Sequence, residues 1–483
     1  MSDLSSSVRR YQFSIHGRSE RYRHWQRRRQ ARQQRPEMYQ PQPGQQPDFA
    51  RIVDHENLLL VFDKLRSEGG AAPGSDGLTY SDFSRGEIAA VLRVVAQQVG
   101  QRHYRPRPTR QVRIPKGSGG TRKLRLMIVI DRIIAKAVQA AIMPMLDPVF
   151  LPGVFGFRPQ RSIQGMLLAM EKAATEYDSW VIAQDDIRAA FDNVPIADAM
   201  LDFSQHVGDA DLLWLIEALL RGAEGQDRTV GIDQGNAVSP VALLLRLHHV
   251  LGLPQPLQGA ADQDNPPWQF QYADNLAYIC RSVTEGNQQL QQARSLLQAA
   301  GLDLKGEDGA PVNLKRQGAK VDILGFQVSY GDSRMRYGLG RDAWKDLEQR
   351  LEEAQEAANP GKAAIAAVRG WLSAHGPAFE SEAEDRRVLK GVRQAAARAG
   401  VRELGRESEP LGWLRGARQR WRAARERALG PPCKQEGPEQ QLRRAPRAEE
   451  TPPAALAGEA DRLGERSPGR PGLLFSATAR RGS

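Results

Sequence analysis

The sequence predicts an α+β fold that combines an antiparallel sheet with many helices and ends in a helical region. Two apolar stretches, 180–187 and 270–279, contain acidic residues and have the β-branched and aromatic content of strands. A glycine-centred stretch at 112–125 is typical of a hairpin. From Asp342 the apolar spacing becomes helical, over 342–358, 361–375 and 384–399. We therefore expect a mixed region followed by a helical one.

Further elements follow from apolar periodicity and from glycine and proline punctuation. The stretch at 321–329 is expected to form one apolar strand. The other predicted elements are helices at 54–67, 82–98, 131–145, 162–177, 196–222, 241–251 and 285–300.

Composition points to a polyanion partner. The chain has 483 residues, which suggests two to three domains, and a formal net charge of +11. Such a basic excess favours nucleic acid, although a merely basic soluble protein stays open as the alternative. Two cysteines without metal-type spacing exclude a disulfide framework and a zinc site. With no apolar run of about 18 residues and no secretory signal, we expect a cytoplasmic protein.

Both ends of the chain are low in aliphatic residues. Residues 1–50 are rich in Arg and Gln, and two aromatic residues lie close to Arg27, Arg28 and Arg29. Guanidinium groups neutralise phosphates and aromatic rings stack on bases, so this stretch is predicted to be a nucleic-acid-binding arm and linker. A solvated basic tail is the equal alternative. Residues 405–483 are predicted to be a low-complexity, disordered tail.

Two cationic stretches are candidates for phosphate contact. The predicted hairpin carries cations along both arms, and Lys116 and Arg122 flank its glycine tip. Such a hairpin can close over a triphosphate, or it is simply a basic surface hairpin. Further along, the stretch at 149–162 combines aromatic residues with Arg158 and Arg161, which can reach phosphate or stack on a base.

A glycine-rich turn at 229–240 precedes an apolar helix. It contains Gln234, Gly235 and the pair Ser239-Pro240. A helix N-terminus presents free N–H groups that can hold a phosphate or a base. The alternative is an ordinary capped helix start, because Ser-Pro fits the first positions of a helix.

The two acidic stretches are candidates for metal-dependent chemistry. The first places Asp185 and Asp186 at the end of an apolar strand, and the second places Asp274 and Asn275 in a tight turn. Alone, an Asp-Asn pair most often marks a turn. If the two ends meet in space, they can hold two divalent cations about 3.5–4 Å apart, an arrangement used in phosphoryl transfer.

The order of these pieces resembles the reverse transcriptases, most closely the bacterial group II intron and group II-like branch. The resemblance covers roughly residues 50–375 and is specific because many blocks occur in the right order. They lie at 74–77, 112–122, 131–134, 155–162, 186–192, 234–240, 272–274, 324–326 and 370–371.

The resemblance implies a right-hand polymerase fold and its activity. Its fingers would span 51–178, its palm 179–335 and its helical thumb 336–404. The implied function is an RNA-directed DNA polymerase, a nucleotidyltransferase that adds dNTPs to a primer 3′-OH with Mg²⁺, or Mn²⁺, as cofactor. The implied partners are an RNA template, a DNA or RNA primer and dNTPs, with a structured RNA as a further option.

The resemblance also implies a catalytic set of Asp186, Asp274 and Asn275. The two aspartates would bind two Mg²⁺ ions together with the backbone carbonyl of Ile187. The family usually carries a second aspartate where this chain has Asn275, whose amide offers only a neutral oxygen. Weaker Mg²⁺ binding, slower turnover and a preference for Mn²⁺ would follow, with Asp185 as a partial substitute.

Further implied roles concern the incoming nucleotide. Phe191, five residues after the first catalytic aspartate, would be the steric gate against a ribose 2′-hydroxyl. Two cations would hold the triphosphate, and a Gln-Gly pair would line the nucleotide and template pocket. These four residues are Lys116, Arg122, Gln234 and Gly235.

Other departures from the family pattern leave two functions open. Leu244 stands where the family has a polar Asn, and Asp308-Gly309 stands where a Lys-Thr pair is usual. Lys305 and Lys315 are candidate substitutes for that lysine. A catalytically weakened, maturase-like RNA-binding protein is therefore the alternative to a working polymerase. Because no HNH endonuclease pattern follows the thumb, we expect a stand-alone or domesticated enzyme, for example one used in antiviral defence.

Overall fold

The computed structural model describes residues 36–68, 72–115, 121–252, 268–306, 309–355, 357, 359–401, 404 and 408–430. Helices and antiparallel strands are mixed as far as residue 339, and helices follow, so the predicted α+β class is confirmed. The predicted arm with Arg27, Arg28 and Arg29 lies outside the described residues, as do Lys116 and the stretch 431–483. The Arg122 side chain is also outside them.

The N-terminal part of the structure consists of four helices and a hairpin. Helix α4 is mostly apolar and contributes many residues to one hydrophobic core. Its Asp131 is buried and accepts hydrogen bonds from the Tyr104 hydroxyl (2.6 Å) and the Arg107 amide (2.8 Å). Asp131 is therefore a structural residue. The elements are α1 (Phe49–Val53), α2 (His55–Glu68), α3 (Arg85–Gly100), β1 (Arg110–Pro115), β2 (Thr121–Leu126) and α4 (Val129–Leu146).

A four-stranded antiparallel sheet follows, with the order β4-β5-β3-β6. Alternate residues of its central strands face two different apolar clusters, as the period of two in a strand requires. One cluster includes α10 and the other includes α5. The elements are α5 (Ile163–Glu176), β3 (Val181–Asp186), β4 (Trp268–Tyr272), β5 (Asn275–Cys280), α10 (Val283–Ala299) and β6 (Val312–Asn313).

Between β3 and β4 the chain forms helices α6 (Ala190–Asn193), α7 (Ile196–Ser204), α8 (Ala210–Arg221) and α9 (Ser239–Leu247). The prediction of continuous helix over 196–222 is wrong, because the chain breaks before Asp209. The Asp209 carboxylate accepts from the amides of Asp211 (2.8 Å) and Leu212 (2.9 Å) and so starts a new helix.

The stretch at 321–329 is not one strand. Strand β7 (Lys320–Ile323) pairs with β8 (Phe326–Gly331), and β8 pairs with β9 (Arg334–Leu339). Leu324 and Gly325 form the two-residue turn between the first two strands, with φ of 49° and 86°. Positive φ at both positions is what a tight hairpin turn requires, so this glycine marks a turn and not a strand interior.

The helical region begins with α11 (Ala343–Gln355), α12 (Pro360–Ala374) and α13 (Asp385–Arg398), which confirms three predicted helices. A fourth helix, α14 (Ser408–Leu429), occupies part of the predicted low-complexity tail, so the start of that tail at residue 405 is wrong. Its Trp421 is buried, and its buried arginines Arg418 and Arg425 are held by carboxylates and backbone carbonyls. None of the described helices combines the length and apolar character that crossing a lipid bilayer requires.

Candidate active site

The first acidic strand end and the acidic turn meet in the central sheet. In the register of β3 and β5, Asp186 lies directly opposite Asn275. The amide of Ile187 donates to the backbone carbonyl of Asp274 at 2.8 Å, which ties the turn to the end of β3. The structure therefore brings Asp186, Asp274 and Asn275 together at one edge of the sheet.

The turn itself has an unusual backbone. Tyr272 pairs with Asn275, so Ala273 and Asp274 form a two-residue hairpin loop. Ala273 has a φ of 56°, in the left-handed region that favours glycine. The Asn275 amide group lies 3.4 Å from both the Tyr272 carbonyl and an Asp274 carboxylate oxygen. Asp274 is thus presented by a strained turn whose neighbouring groups are close to its side chain.

A glycine-containing loop holds the outer edge of this hairpin. The amide of Phe155 donates to the Gln271 carbonyl (2.8 Å), and the amide of Gln271 donates to the Gly153 carbonyl (2.9 Å). A Cβ added at Gly156 would lie 2.2 Å from the amide nitrogen of Ala273, so only glycine fits there. The loop fixes the turn through backbone contact, a role that the sequence reasoning missed and that the two glycines could have indicated.

On its other side, Asp186 faces Lys305. The Lys305 ammonium lies 2.6 Å from the Asp186 carboxylate, and its amide donates to the Asp186 carbonyl at 2.8 Å. Leu304 forms a β-bridge with Ile187, so the chain near Lys305 continues the sheet beside β3. The Asn275 amide, the Asp186 carboxylate and the Lys305 ammonium thus lie side by side on three adjacent segments. Of the two candidate substitutes for the family's lysine, Lys305 lies at this site, whereas Lys315 pairs with Asp178 (2.7 Å).

Asp185 does not join this group. It alternates with Asp186 along β3 and is buried, and its carboxylate accepts from the amide of Gly306 at 3.0 Å and from the amide of Asp186 at 2.8 Å. Burial raises the pKa of Asp185, while these two amides act in the opposite direction. The expectation that Asp185 partly replaces the missing carboxylate is therefore wrong, because its oxygens are already bonded on the other face.

The oxygen-rich donor set suits a hard cation. Asp186 and Asp274 contribute carboxylates and Asn275 an amide oxygen, the ligand types that Mg²⁺ and Mn²⁺ prefer. With Lys305 beside them, two negative charges and one positive charge leave one net negative charge. Among the described residues no group of three or more His, Cys, Asp and Glu side chains could hold a metal ion. The donor atoms are of the type that binds a divalent ion, but the net negative charge of these side chains is small for a site that holds two such ions.

Two aromatic rings lie near the start of α6. Phe191 is 8% exposed, and its ring makes an edge contact with that of Phe157 at 6.2 Å between centroids. The Phe191 carbonyl accepts from the amide of Ile232 at 2.8 Å, which fixes this helix against the next segment. Phe157 is 43% exposed, so the pair forms a partly open aromatic wall.

The Gln234-Gly235 pair lies against strand β2 of the cationic hairpin. The amide of Arg125, in β2, donates to the Gln234 carbonyl at 2.8 Å. Gly235 has a φ of 120°, and a Cβ there would lie 2.4 Å from the Arg125 carbonyl oxygen. In the turn before α9 the Asn236 side-chain oxygen accepts from the Val238 amide at 2.9 Å, and Val238, the N-cap residue, makes no side-chain capping bond. The pair therefore joins the base of the β1–β2 hairpin to the start of α9.

The two arginines of the 149–162 stretch differ. Arg158 is buried: its guanidinium donates to the Asp147 carboxylate (2.7 Å) and to the carbonyls of Leu151 and Val154, both at 3.0 Å. Its prediction as a nucleic-acid contact is wrong, because its donors hold the loop together. Arg161 remains exposed and lies 5.0 Å above the Phe155 ring, where it stays available to a ligand.

Part of the chain is similar to known proteins. Residues 114–328 match the family described as reverse transcriptase (RNA-dependent DNA polymerase). Protein YkfC of Escherichia coli (strain K12) is 28% identical over 186 residues, 37% of this chain and 48% of that protein. The group II intron-encoded protein LtrA of Lactococcus lactis subsp. cremoris is 25% identical over 227 residues, 45% of this chain and 37% of LtrA.

A third relative is the uncharacterized 91 kDa protein in cob intron of Schizosaccharomyces pombe, 26% identical over 220 residues, 44% of this chain and 27% of that protein. The chain thus spans less than half the length of each of these three relatives. The predicted resemblance to reverse transcriptases of the group II-like branch is confirmed.

Proposed function

We propose that this chain, whose residues 114–328 match the reverse transcriptase family, is an RNA-directed DNA polymerase of the group II-like branch. It would extend a DNA or RNA primer with dNTPs on an RNA template. The observation that carries the proposal is the meeting of Asp186 with the Asp274-Asn275 turn at one sheet edge. A protein that only binds the phosphate backbone gains nothing from two carboxylates there, because they repel phosphate unless a cation is bound.

Divalent ions would be held by Asp186 and Asp274, with the Ile187 carbonyl and the Asn275 amide oxygen as neutral ligands. The chemistry such ions supply is activation of the attacking hydroxyl oxygen and stabilisation of the leaving oxygen. Mg²⁺ is the expected cofactor and Mn²⁺ the alternative. Lys305 offsets one carboxylate charge and would have to leave Asp186, or share it, when a cation binds.

The remaining site residues would act on the nucleotide. Phe191, backed by Phe157, would exclude a ribose 2′-hydroxyl at the partly open aromatic wall. Gln234 and Gly235 would line the pocket, since they connect the hairpin to the helix start. The triphosphate would be held by cations of that hairpin, Lys116 and Arg122.

The larger architecture is proposed by the same resemblance. Fingers would span 51–178, the palm 179–335 and the helical thumb 336–404, with the basic arm before them. The central sheet with Asp186 would then belong to the palm and helices α11 to α13 to the thumb. Helix α14 extends the folded part beyond that thumb. Template and primer binding, and any structured RNA, would use the basic arm and Arg161, and a role in antiviral defence stays a prediction.

One observation favours a second candidate, a maturase-like RNA-binding protein with little synthesis. The row of Asn275, Asp186 and Lys305 carries less negative charge than a site for two divalent ions normally needs. A fold retained for RNA binding could tolerate this loss, whereas efficient polymerisation would be slowed by it.

Primer extension on an RNA template separates the two functions. Wild type, Asp274→Ala and Asn275→Asp would be compared in Mg²⁺ and in Mn²⁺, with Asp346→Ala as a control for an exposed carboxylate on α11. Extension by wild type and Asp346→Ala, but not by Asp274→Ala, is the expected result. Extension only after Asn275→Asp would favour the RNA-binding alternative, and extension by Asp274→Ala equal to wild type would refute the assignment of the site.

A further inference from the structure

A cluster of three histidines lies among residues that the proposed polymerase function does not use. His206 follows the end of α7, and His248 and His249 follow the end of α9. The Nε2 atoms of His206 and His249 face each other at 3.1 Å, and the ring centroids are 5.3 Å apart. Two imidazole nitrogens from separate helices therefore converge on one point.

A buried carboxylate lies beside this pair, on the Nδ1 side of His249. The Nδ1 atom of His249 lies 3.8 Å from the Asp202 carboxylate, which is buried. Arg246 lies 3.2 Å from the same carboxylate and 2.7 Å from that of Asp198. With the Asp202 carboxylate on the Nδ1 side of the His249 ring, Nε2 is the nitrogen directed towards His206. A cation bound between the rings would replace the hydrogen bond that joins the two Nε2 atoms.

The histidine pair is accessible from one side. The His249 side chain is 8% exposed, whereas His206 is half-buried, so a cation can reach the pair from the His206 side.

The spacing fits a small transition-metal ion. Bonds of about 2.0–2.1 Å at a tetrahedral angle place two ligand nitrogens about 3.3 Å apart, roughly 0.2 Å more than the present separation. The backbone of His206 is pinned, because the Gln46 side chain donates to its carbonyl at 2.6 Å. No third His, Cys, Asp or Glu among the described residues completes the site, so water would fill the remaining positions.

We propose that His206 and His249 form a binding site for one late first-row divalent cation, such as Zn²⁺ or Cu²⁺, that joins the end of α7 to the end of α9. Imidazole nitrogen suits these ions, while Mg²⁺ requires oxygen ligands, so the site is distinct in chemistry from the one at Asp186. Asp202 is a positioning residue for His249.

The test uses the full chain without an affinity tag and with Mg²⁺ in excess. Calorimetric titration with Zn²⁺ is expected to show one bound ion, with affinity reduced more than tenfold in both His206→Gln and His249→Gln. His103→Gln, which alters an exposed histidine, is the matched control and should bind as wild type does. Asp202→Asn should weaken binding by about tenfold while the stoichiometry stays at one.

A spectroscopic measurement on the wild-type chain needs no variant that could misfold. Electron paramagnetic resonance of one equivalent of Cu²⁺ is expected to show two coordinated nitrogens. Absence of saturable Zn²⁺ binding by wild type, equal affinity in the histidine variants, or a Cu²⁺ spectrum with a single nitrogen would each overturn the proposal. None of these outcomes depends on polymerase activity.

Discussion

Replacing Asn275 by aspartate tests how the charge of the site controls cation binding. The new carboxylate would lie directly opposite Asp186 on the neighbouring strand, with Lys305 on the far side of Asp186. Without a divalent ion, two carboxylates would face each other across the ladder with one ammonium to offset them. With an ion bound, the same two carboxylates would become ligands.

The size of the effect follows from the geometry. Opposed residues in an antiparallel pair have Cβ atoms about 4.5–5.5 Å apart. Two like charges about 5 Å apart repel by about 1 kcal/mol in water and about 3 kcal/mol at the effective dielectric constant of a protein surface. The Asp186 side chain is 28% exposed, so we expect Asn275→Asp to lower the free energy of unfolding without metal by about 1–3 kcal/mol.

Unfolding by denaturant at increasing Mg²⁺ concentration measures both the loss of stability without the ion and the stabilisation that the bound ion provides. A tenfold gain in Mg²⁺ affinity adds about 1.4 kcal/mol of stabilisation at saturating ion, so the variant should gain more from Mg²⁺ than wild type does. Asn313→Asp, on the edge strand β6, makes the same charge change away from the site and should show no gain. Equal Mg²⁺ dependence in wild type and Asn275→Asp would show that the charge at position 275 does not control cation binding.

Three further changes test other parts of the structure. Gly156→Ala would force a Cβ to within 2.2 Å of the Ala273 amide nitrogen, so it should lower the free energy of unfolding by about 1–3 kcal/mol and weaken Mg²⁺ binding. The control Gly86→Ala, whose Cβ would meet no atom within 4 Å, should cost nothing. Equal effects of the two changes would contradict this prediction. Arg425→Met should cost about 3–5 kcal/mol by leaving buried Glu171 unpaired, and adding Glu171→Gln should restore part of the loss, which denaturation of both variants would show. Burial lowers the pKa of His248 from 6.5 to about 4, so the unfolded chain binds this proton first and stability falls by up to about 3 kcal/mol from pH 6.5 to pH 4. Burial raises the pKa of Asp202 to about 6, so this group acts on stability in the opposite direction between pH 6 and pH 3.8. The test therefore compares wild type with His248→Phe, whose free energy of unfolding should fall less steeply as the pH is lowered. Identical slopes would exclude His248 as the cause of the loss of stability in acid.

The sequence could predict the central residues of the site because short-range sequence patterns determine their local structure. An apolar strand that ends at Asp186 and a two-residue turn that presents Asp274 are both set by neighbours in the chain. The pairing of the two strands then brings the carboxylates to one edge. The place of Lys305 beside Asp186 could only be suspected, since it depends on a short β-bridge between Ile187 and Leu304 that no periodicity indicates.

The wrong predictions have one cause in common: the sequence alone does not show whether a charged residue is buried or exposed. Arg158 lies in a stretch whose composition suggests phosphate contact, yet its guanidinium makes four hydrogen bonds to Asp147 and to backbone carbonyls. Helix α14 was missed because two arginines, Arg418 and Arg425, share its inward face with Leu414 and Trp421. Only the partners Asp385 and Glu171, distant in the chain, make those positions core positions.

The buried pairs of α14 also determine how the folded chain loses its structure. Arg425 bonds Glu171 on α5 and the Met335 carbonyl on β9, while Arg418 bonds Asp385 at the start of α13. A shift of α14 by one turn would leave several ions buried without partners, at a cost of several kcal/mol each, so the helix has one acceptable register. Since that register is defined jointly by α5, β9 and α13, we expect α14 to unfold together with these elements and not ahead of them.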